Sequence, residues 1–207
     1  MDTRPSRLPR FSGTERALHW VHAAAFVVLL ATGLCLYLPS LAELVGRRPL
    51  LKEIHIYTAV AWAVALLYVF AVGDRRSLIA AARELDRLDA GRLNRGQKLN
   101  AIASAAFAIL FAVTGFFLWY GERDTRFRLP QALLVHDWLM YVSFFLFIGH
   151  LFLAVIYPKT RHSLNGMTYG WVDADWALAN HPEWASRLRQ EEGQELVSDG
   201  PPPVGYG

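Results

Sequence analysis

Four apolar runs limit what this chain can fold into more than any other feature it has. Residues 17–38, 53–72, 99–119 and 131–157 each match the roughly 20 residues that cross a hydrocarbon core. They hold almost no charge: Glu53 stands at one end of the second run and Asp137 near the start of the fourth. Of 207 residues 54% are hydrophobic and only 19% charged, too apolar a balance for an ordinary soluble domain of this size. The runs predict an all-α bundle of four transmembrane helices, because backbone groups in lipid must find their partners within the segment.

The basic residues between the runs predict how the bundle sits. Arg4, Arg7, Arg10 and Arg16 precede the first span. Arg75, Arg76, Arg83, Arg87, Arg92, Arg95 and Lys98 follow the second, and Lys159, Arg161, Arg187 and Arg189 follow the fourth. The other side has six: Arg47, Arg48, Lys52, Arg123, Arg126 and Arg128. Lys and Arg are retained on the cytoplasmic face, so both termini and the central loop are expected inside. The net charge of +3 is thus read as topology and contact with anionic lipid, not as nucleic-acid binding.

MDTRPSRLPRF has the outline of a signal peptide. The apolar run behind it is as long as a full span and lacks a convincing cleavage site, so it reads as a retained first helix. Cys35 is the one cysteine, which excludes an internal disulfide, a cysteine-ligated iron–sulfur cluster and covalent haem attachment through C-x-x-C-H. Packing is its expected role.

Between the spans, residues 73–98 carry a helical pattern, SLIAAARELDRLDAG, with Leu78, Ala81, Ala82, Leu85 and Leu88 on one face and Gly91 as the C-cap. This helix is expected along the inner surface. After Pro158 the tail offers Trp171, Trp176 and Trp184, rings suited to the headgroup zone of an amphipathic tail. No soluble domain is expected. Residues 1–190 read as the membrane domain and 191–207, ending in SDGPPPVGYG, as a flexible tail.

Ionisable groups inside a membrane mark function, and the histidines supply them. His19 opens the first span, His55 the second, and His136 and His150 lie on the fourth. The last two are fourteen residues apart, so they share a face to within about 40° while the helix rise separates them by roughly 21 Å. Alternating helix direction then puts His19 beside His150 near the inner surface and His55 beside His136 near the outer. Neutral imidazoles on facing helices can hold a haem iron from both sides, and two layers predict two stacked haems. A single histidine at a helix end needs no metal; four at two matched depths point to one. His22, one turn deeper than His19, is a rival for its place. His162 and His181 are expected at the surface. Gly33, Gly115 and Gly149 would let a flat ring approach backbone, and serve equally for close helix packing.

The order of ERALHW, KEIH, LNRGQK, AVTGFFLW, LLVHDW, FIGHLFLAVIYP, HSLNGM and DWALANHPEW resembles the cytochrome b (gamma) membrane subunit of respiratory formate dehydrogenases, from about residue 11 to 185. That resemblance implies two non-covalent haem b groups, the inner on His19 and His150 and the outer on His55 and His136, and it selects His19 over His22. It also implies a site for quinone, menaquinone or ubiquinone, formed by Asn94, Gly96 and Gln97 with Lys98 assisting and His150 close by. From the residues alone, LNRGQK reads as a helix start with Asn94 as cap and Gln97 supporting the first turn.

The implied partners are an iron–sulfur electron-transfer subunit and a catalytic formate dehydrogenase-like subunit, in a bacterial inner membrane. The chain would pass electrons to quinone and would not itself oxidise formate. The cytochrome b subunits of hydrogenases and thiosulfate reductases share the general plan and form the alternative. A transporter is disfavoured, since the spans have no internal proline and no obvious repeat. For the haem propionates, side and proximity suggest Arg16, Lys159 or Arg161 at the inner group and Arg128 at the outer.

Overall fold

In the computed structural model the described residues are 6–86 and 91–198. Four helices have membrane length: α1 (Gly13–Tyr37), α3 (Arg48–Val72), α5 (Arg95–Tyr120) and α6 (Gln131–Leu151), the last running on through a π-helical turn over Phe152–Ile156. With this extension each has 25 or 26 residues, about 38 Å of helix against a core of about 30 Å, so polar turns project beyond the apolar layer.

Those polar turns explain where the helices begin. α1 starts four residues before its apolar run because Ser12 and Glu15 form a reciprocal capping box: Glu15 N donates to Ser12 Oγ at 3.2 Å and Ser12 N to Glu15 Oε2 at 2.9 Å. α5 begins at Arg95 for the same reason, with Asn94 and Gln97 as the box. α3 takes Pro49 in its first turn, where the missing N–H costs nothing. Pro158 follows the end of the fourth span.

α1 packs along α3 and α5 along α6, while α1 also touches α6. The outward faces of these helices expose Val, Leu, Ile and Phe throughout, as lipid contact requires. Between the two helix pairs a large cavity opens. A short helix α2 (Pro39–Val45) joins α1 to α3 at the end of the bundle remote from the N-terminus, hereafter the far end.

The opposite end carries a small folded cap. Strand β1 (Arg7–Pro9) pairs antiparallel with β2 (Trp171–Asp173), Leu8 lying opposite Val172. Helices α7 (Leu164–Tyr169), α8 (Ala174–Asn180) and α9 (Pro182–Ser198) complete it. Its core is Leu8, Val172, Ala174, Ala177, Trp184 and Ala185. Gly170, at φ +89, makes the turn into β2, and its carbonyl accepts from Arg10 N and Phe11 N at 2.8 and 3.2 Å.

This cap departs from the expectation of a tail lying in the headgroups. Trp184 is only 7% exposed, buried by the N-terminal strand that reaches it from far along the sequence. Helix α9 crosses position 190, and residues 199–207 lie outside the described residues.

α4 (Arg75–Asp86) is the amphipathic helix of the central loop and packs on α1 and α5. Leu78, Ala81 and Leu85 are its half-buried stripe together with Ser77 and Glu84, while Ala82 is exposed. Leu88 lies outside the described residues. Gly91 is buried against the carboxylate of Glu84.

The cap is tied to the bundle by Arg10, 2% exposed. Its guanidinium donates to Ser163 Oγ (2.7 Å), the Arg92 carbonyl (3.0 Å), Gln97 Oε1 (3.3 Å) and His181 Nε2 (3.2 Å). His181 is therefore a buried residue, 7% exposed, and not the surface residue expected. Its Nε2 accepts from Arg10, so Nδ1 carries the proton and donates to the Gly91 carbonyl at 3.3 Å.

Burial, and then the adjacent Arg10 cation, push the His181 pKa down to about 4 from its ordinary 6.5. The neutral ring thus contributes stability that is complete above pH 6.5 and lost as pH falls towards 4. At about 1.4 kcal/mol per unit, full protonation costs the cap on the order of 3 kcal/mol. Trp176 and Trp184 flank the ring, with centroids at 5.5 and 6.2 Å. Tryptophan fluorescence in nanodiscs should show a reversible change between pH 6.5 and 4 that His181→Gln removes.

Candidate functional site

The cavity between the helix pairs has a volume of about 2530 Å3, and His19, His55, His136 and His150 all line it. They meet in two couples. His19 on α1 faces His150 on α6, with ring centroids 6.2 Å apart; His55 on α3 faces His136 on α6 at 6.3 Å. α6 thus contributes to both layers, as the fourteen-residue spacing requires. His22 does not face His150: its ring packs on Phe26 at 6.2 Å and Trp62 at 5.8 Å.

The far couple is held by two threonines. Thr32 Oγ1 lies 2.8 Å from His55 Nδ1, and Thr114 Oγ1 lies 2.8 Å from His136 Nδ1. Gly33 and Gly115, the next residues, lie directly against the rings: a Cβ there would be 3.5 Å from His55 Cε1 and 3.7 Å from His136 Cε1. Gly149 also lines the cavity, and a Cβ on it would meet nothing within 4 Å.

At the cap end the wall includes Asn94, Gly96 and Gln97. Asn94 Oδ1 accepts from Gln97 N at 2.9 Å and Gln97 Oε1 from Asn94 N at 3.1 Å. Both side-chain oxygens therefore serve the capping box, whose geometry does not use the two amide NH2 groups. Lys98 is absent from the wall. It is 4% exposed, with its ammonium 3.6 Å from Glu84.

Arg128 lines the cavity at the far end, together with Arg48 and Lys52, which the sequence did not single out. Arg16, Lys159 and Arg161 are not among the lining residues. The guanidinium at the cap end of the wall belongs to Arg92, paired with Glu15 at 2.7 Å. Arg92, Thr32 and Thr114 were missed because each acts through contacts distant in sequence. The one local trace was the recurrence of Thr-Gly in ATGL and VTGF.

Among the described residues no group of three or more His, Cys, Asp or Glu could enclose a metal. Two opposed imidazoles alone leave a metal's remaining positions open, so the donor set suits an ion that brings a planar macrocycle with it. Four membrane-length helices around paired histidines in an apolar cavity are the arrangement of a membrane cytochrome b.

The prokaryotic cytochrome b561 family matches residues 10–170, and the chain belongs to that family. Membership carries a b-type haem and a multi-pass place in the inner membrane. The cytochrome b556(fdo) subunit of formate dehydrogenase from Escherichia coli K12 is 25% identical over 205 residues, covering 90% of this chain and 96% of that protein. The formate dehydrogenase cytochrome b556 subunit of Haemophilus influenzae is 24% identical, with 94% and 87% covered. The nitrate-inducible cytochrome b556(Fdn) subunit of E. coli K12 is 22% identical, with 90% and 94% covered.

Proposed function

We propose that this chain is the dihaem cytochrome b subunit of a formate dehydrogenase-like complex, carrying electrons from an iron–sulfur partner to quinone. The observation that carries the reading is the pair of histidine couples in one cavity. A metal–imidazole bond is about 2 Å long, and each ring nitrogen lies roughly 1 Å from its own centre. An iron held between two rings thus needs centroids about 6 Å apart, and the observed separations are 6.2 and 6.3 Å. His19 and His150 would hold one haem b, and His55 and His136 the other. Bound there, haem b supplies a one-electron ferric/ferrous couple.

The chain's own residues do the rest. Apolar side chains line most of the cavity, and at its far mouth Arg48 and Arg128 offer positive charge suited to propionates, while Lys52 is ion-paired with Glu122. Asn94 and Gln97, with Gly96 leaving room between them, would bind quinone through their NH2 groups next to His150. Lys98, paired with Glu84, would support that loop from behind. Quinone reduction takes up protons, and Glu15, Arg92, Asn94 and Gln97 make the wall polar at the cap end.

The distribution of Lys and Arg supports a cytoplasmic cap and cytoplasmic termini in a bacterial inner membrane, with the partner subunits docked at the far end. Moving each electron inward against the membrane potential costs about 2.3 kcal/mol per 100 mV, so the donor must lie well below quinone in potential. The names of the relatives support formate dehydrogenase coupling over hydrogenase or thiosulfate reductase coupling.

A pyridine haemochrome assay on the purified chain, with protein quantitation, should give two haem b per chain. One or none would overturn the reading. In the complex, Asn94→Ala with Gln97→Ala should slow quinone reduction at least tenfold while both haems still reduce; an unchanged rate would remove these residues from the quinone site.

A further inference from the structure

α1 and α5 present the same dipeptide, Thr32–Gly33 and Thr114–Gly115, to the histidine of the helix packed beside each. The hydrogen-bond geometry repeats as well. Thr32 Oγ1 is 2.7 Å from the Val28 carbonyl and 3.2 Å from that of Leu29; Thr114 Oγ1 is 2.7 Å from the Leu110 carbonyl and 3.3 Å from that of Phe111. A hydroxyl has one proton. At 2.7 Å an oxygen–oxygen contact without a proton between would set lone pairs against each other, so the hydroxyl donates back to its own helix.

Only its lone pairs then face the imidazole, and the ring nitrogen at 2.8 Å must be the donor. The threonines are 8% and 6% exposed, which leaves them no water as an alternative partner.

We infer that Thr32 and Thr114 are positioning residues that lock His55 and His136 as Nδ1–H tautomers, turning each Nε2 lone pair towards the space between the two rings. The inference rests on the reading that this couple holds a haem. It adds an asymmetry between the layers: among the described residues no side chain hydrogen-bonds the rings of His19 or His150. A hydrogen bond from Nδ1–H raises the basicity of Nε2 and fixes the ring's orientation. The polarised hydroxyl strengthens that effect, since it is itself donating to a carbonyl. More basic ligands favour the ferric state, so this bond holds the far haem's potential down while the near haem is untouched.

The test is a redox titration and low-temperature EPR of the purified chain, wild type against Thr32→Val, Thr114→Val and the corresponding serine variants, with haem counted in each preparation. The far haem is identified as the component missing from His136→Ala. Valine keeps the shape of threonine and removes the hydroxyl acceptor; His55 still has the Leu29 carbonyl within reach, so Thr114→Val is the sharper of the two changes. The far haem should move towards the ferrous state by about tenfold in its ferric/ferrous equilibrium, about 59 mV upward for one electron, with an altered low-spin signal. The near haem should stay at its wild-type potential, and serine should restore the far one.

Two haems present and unmoved by either valine change would overturn the inference alone. An equal shift of both haems that serine does not reverse would also overturn it, by showing a packing effect. A wild-type chain without a far haem would overturn the underlying reading and this inference together. Should the valine variants fail to assemble, nitrogen NMR of histidine-labelled wild-type protein decides the tautomer directly, and Nε2–H at either ring sinks the proposal.

Discussion

On the proposed dihaem reading, His136→Ala and His150→Ala should each reduce haem content from two to one per chain, and the haem that survives should differ between them. Both residues belong to α6, but their partners come from different helices, His55 from α3 and His19 from α1. Losing either ring would leave the iron half-ligated in an apolar chamber, and among the described residues no other imidazole faces the vacated side. His22 lines the same cavity, but it stands on α1 with its ring against Phe26 and Trp62 and makes no ring contact with His150, so it does not replace a ligand from α6. His22→Ala should therefore retain both haems.

If Asn94 and Gln97 bind quinone as proposed, His150→Ala in the intact complex should abolish quinone reduction, because the His19–His150 couple and those two residues all lie at the cap end of the cavity. His136→Ala should abolish electron entry from the partner while quinol still reduces the remaining haem. Reduced-minus-oxidised spectra, recorded once with the donor substrate and once with quinol, read all of these outcomes. Loss of the same haem in both variants would disprove the two-layer assignment.

Arg10→Met carries the second large effect. Removing the guanidinium takes the donor from three acceptors, on Ser163, Arg92 and His181, while Gln97 Oε1 keeps the Asn94 N–H. Leaving a buried acceptor unpaired costs about 1–3 kcal/mol. The loss is partly offset because the cation itself is buried unfavourably: desolvation and then nearby Arg92 bring its pKa down to about 10. The expected net loss is on the order of 3 kcal/mol, enough to release the tail from the bundle, as protease cleavage within 171–190 would report. The variant should also shift the His181 acid transition to higher pH, since the neighbouring positive charge is gone. A variant as protease-resistant as wild type would show that the strand pairing holds the cap without Arg10.

Much of the bundle could be read along the chain, because hydropathy over twenty residues is a local property and the bilayer has one thickness. The histidine layers were legible for a related reason: a helix has a fixed rise and twist, so a fourteen-residue spacing on one span implies two levels. Asn94 was read both as a cap and as a ligand-site residue, and its Oδ1 does cap α5. The cap domain was hidden by sequence distance, for β1 and β2 are separated by the whole membrane region and each is only three residues long. Tail tryptophans that looked like headgroup anchors lacked a visible partner until Leu8 was brought to them.

Span number, helix periodicity and the two depths of the imidazoles were determined by the amino-acid order alone, since each follows from repeats within one helix. What tertiary structure decided was everything that depends on which helix lies beside which: that His19 and not His22 looks across at His150, that Thr32 and Thr114 reach the neighbouring rings, and that His181 is buried beside Arg10. A hydrogen bond between helices is set by their relative rotation and offset to a fraction of an ångström, and no pattern within either helix encodes that.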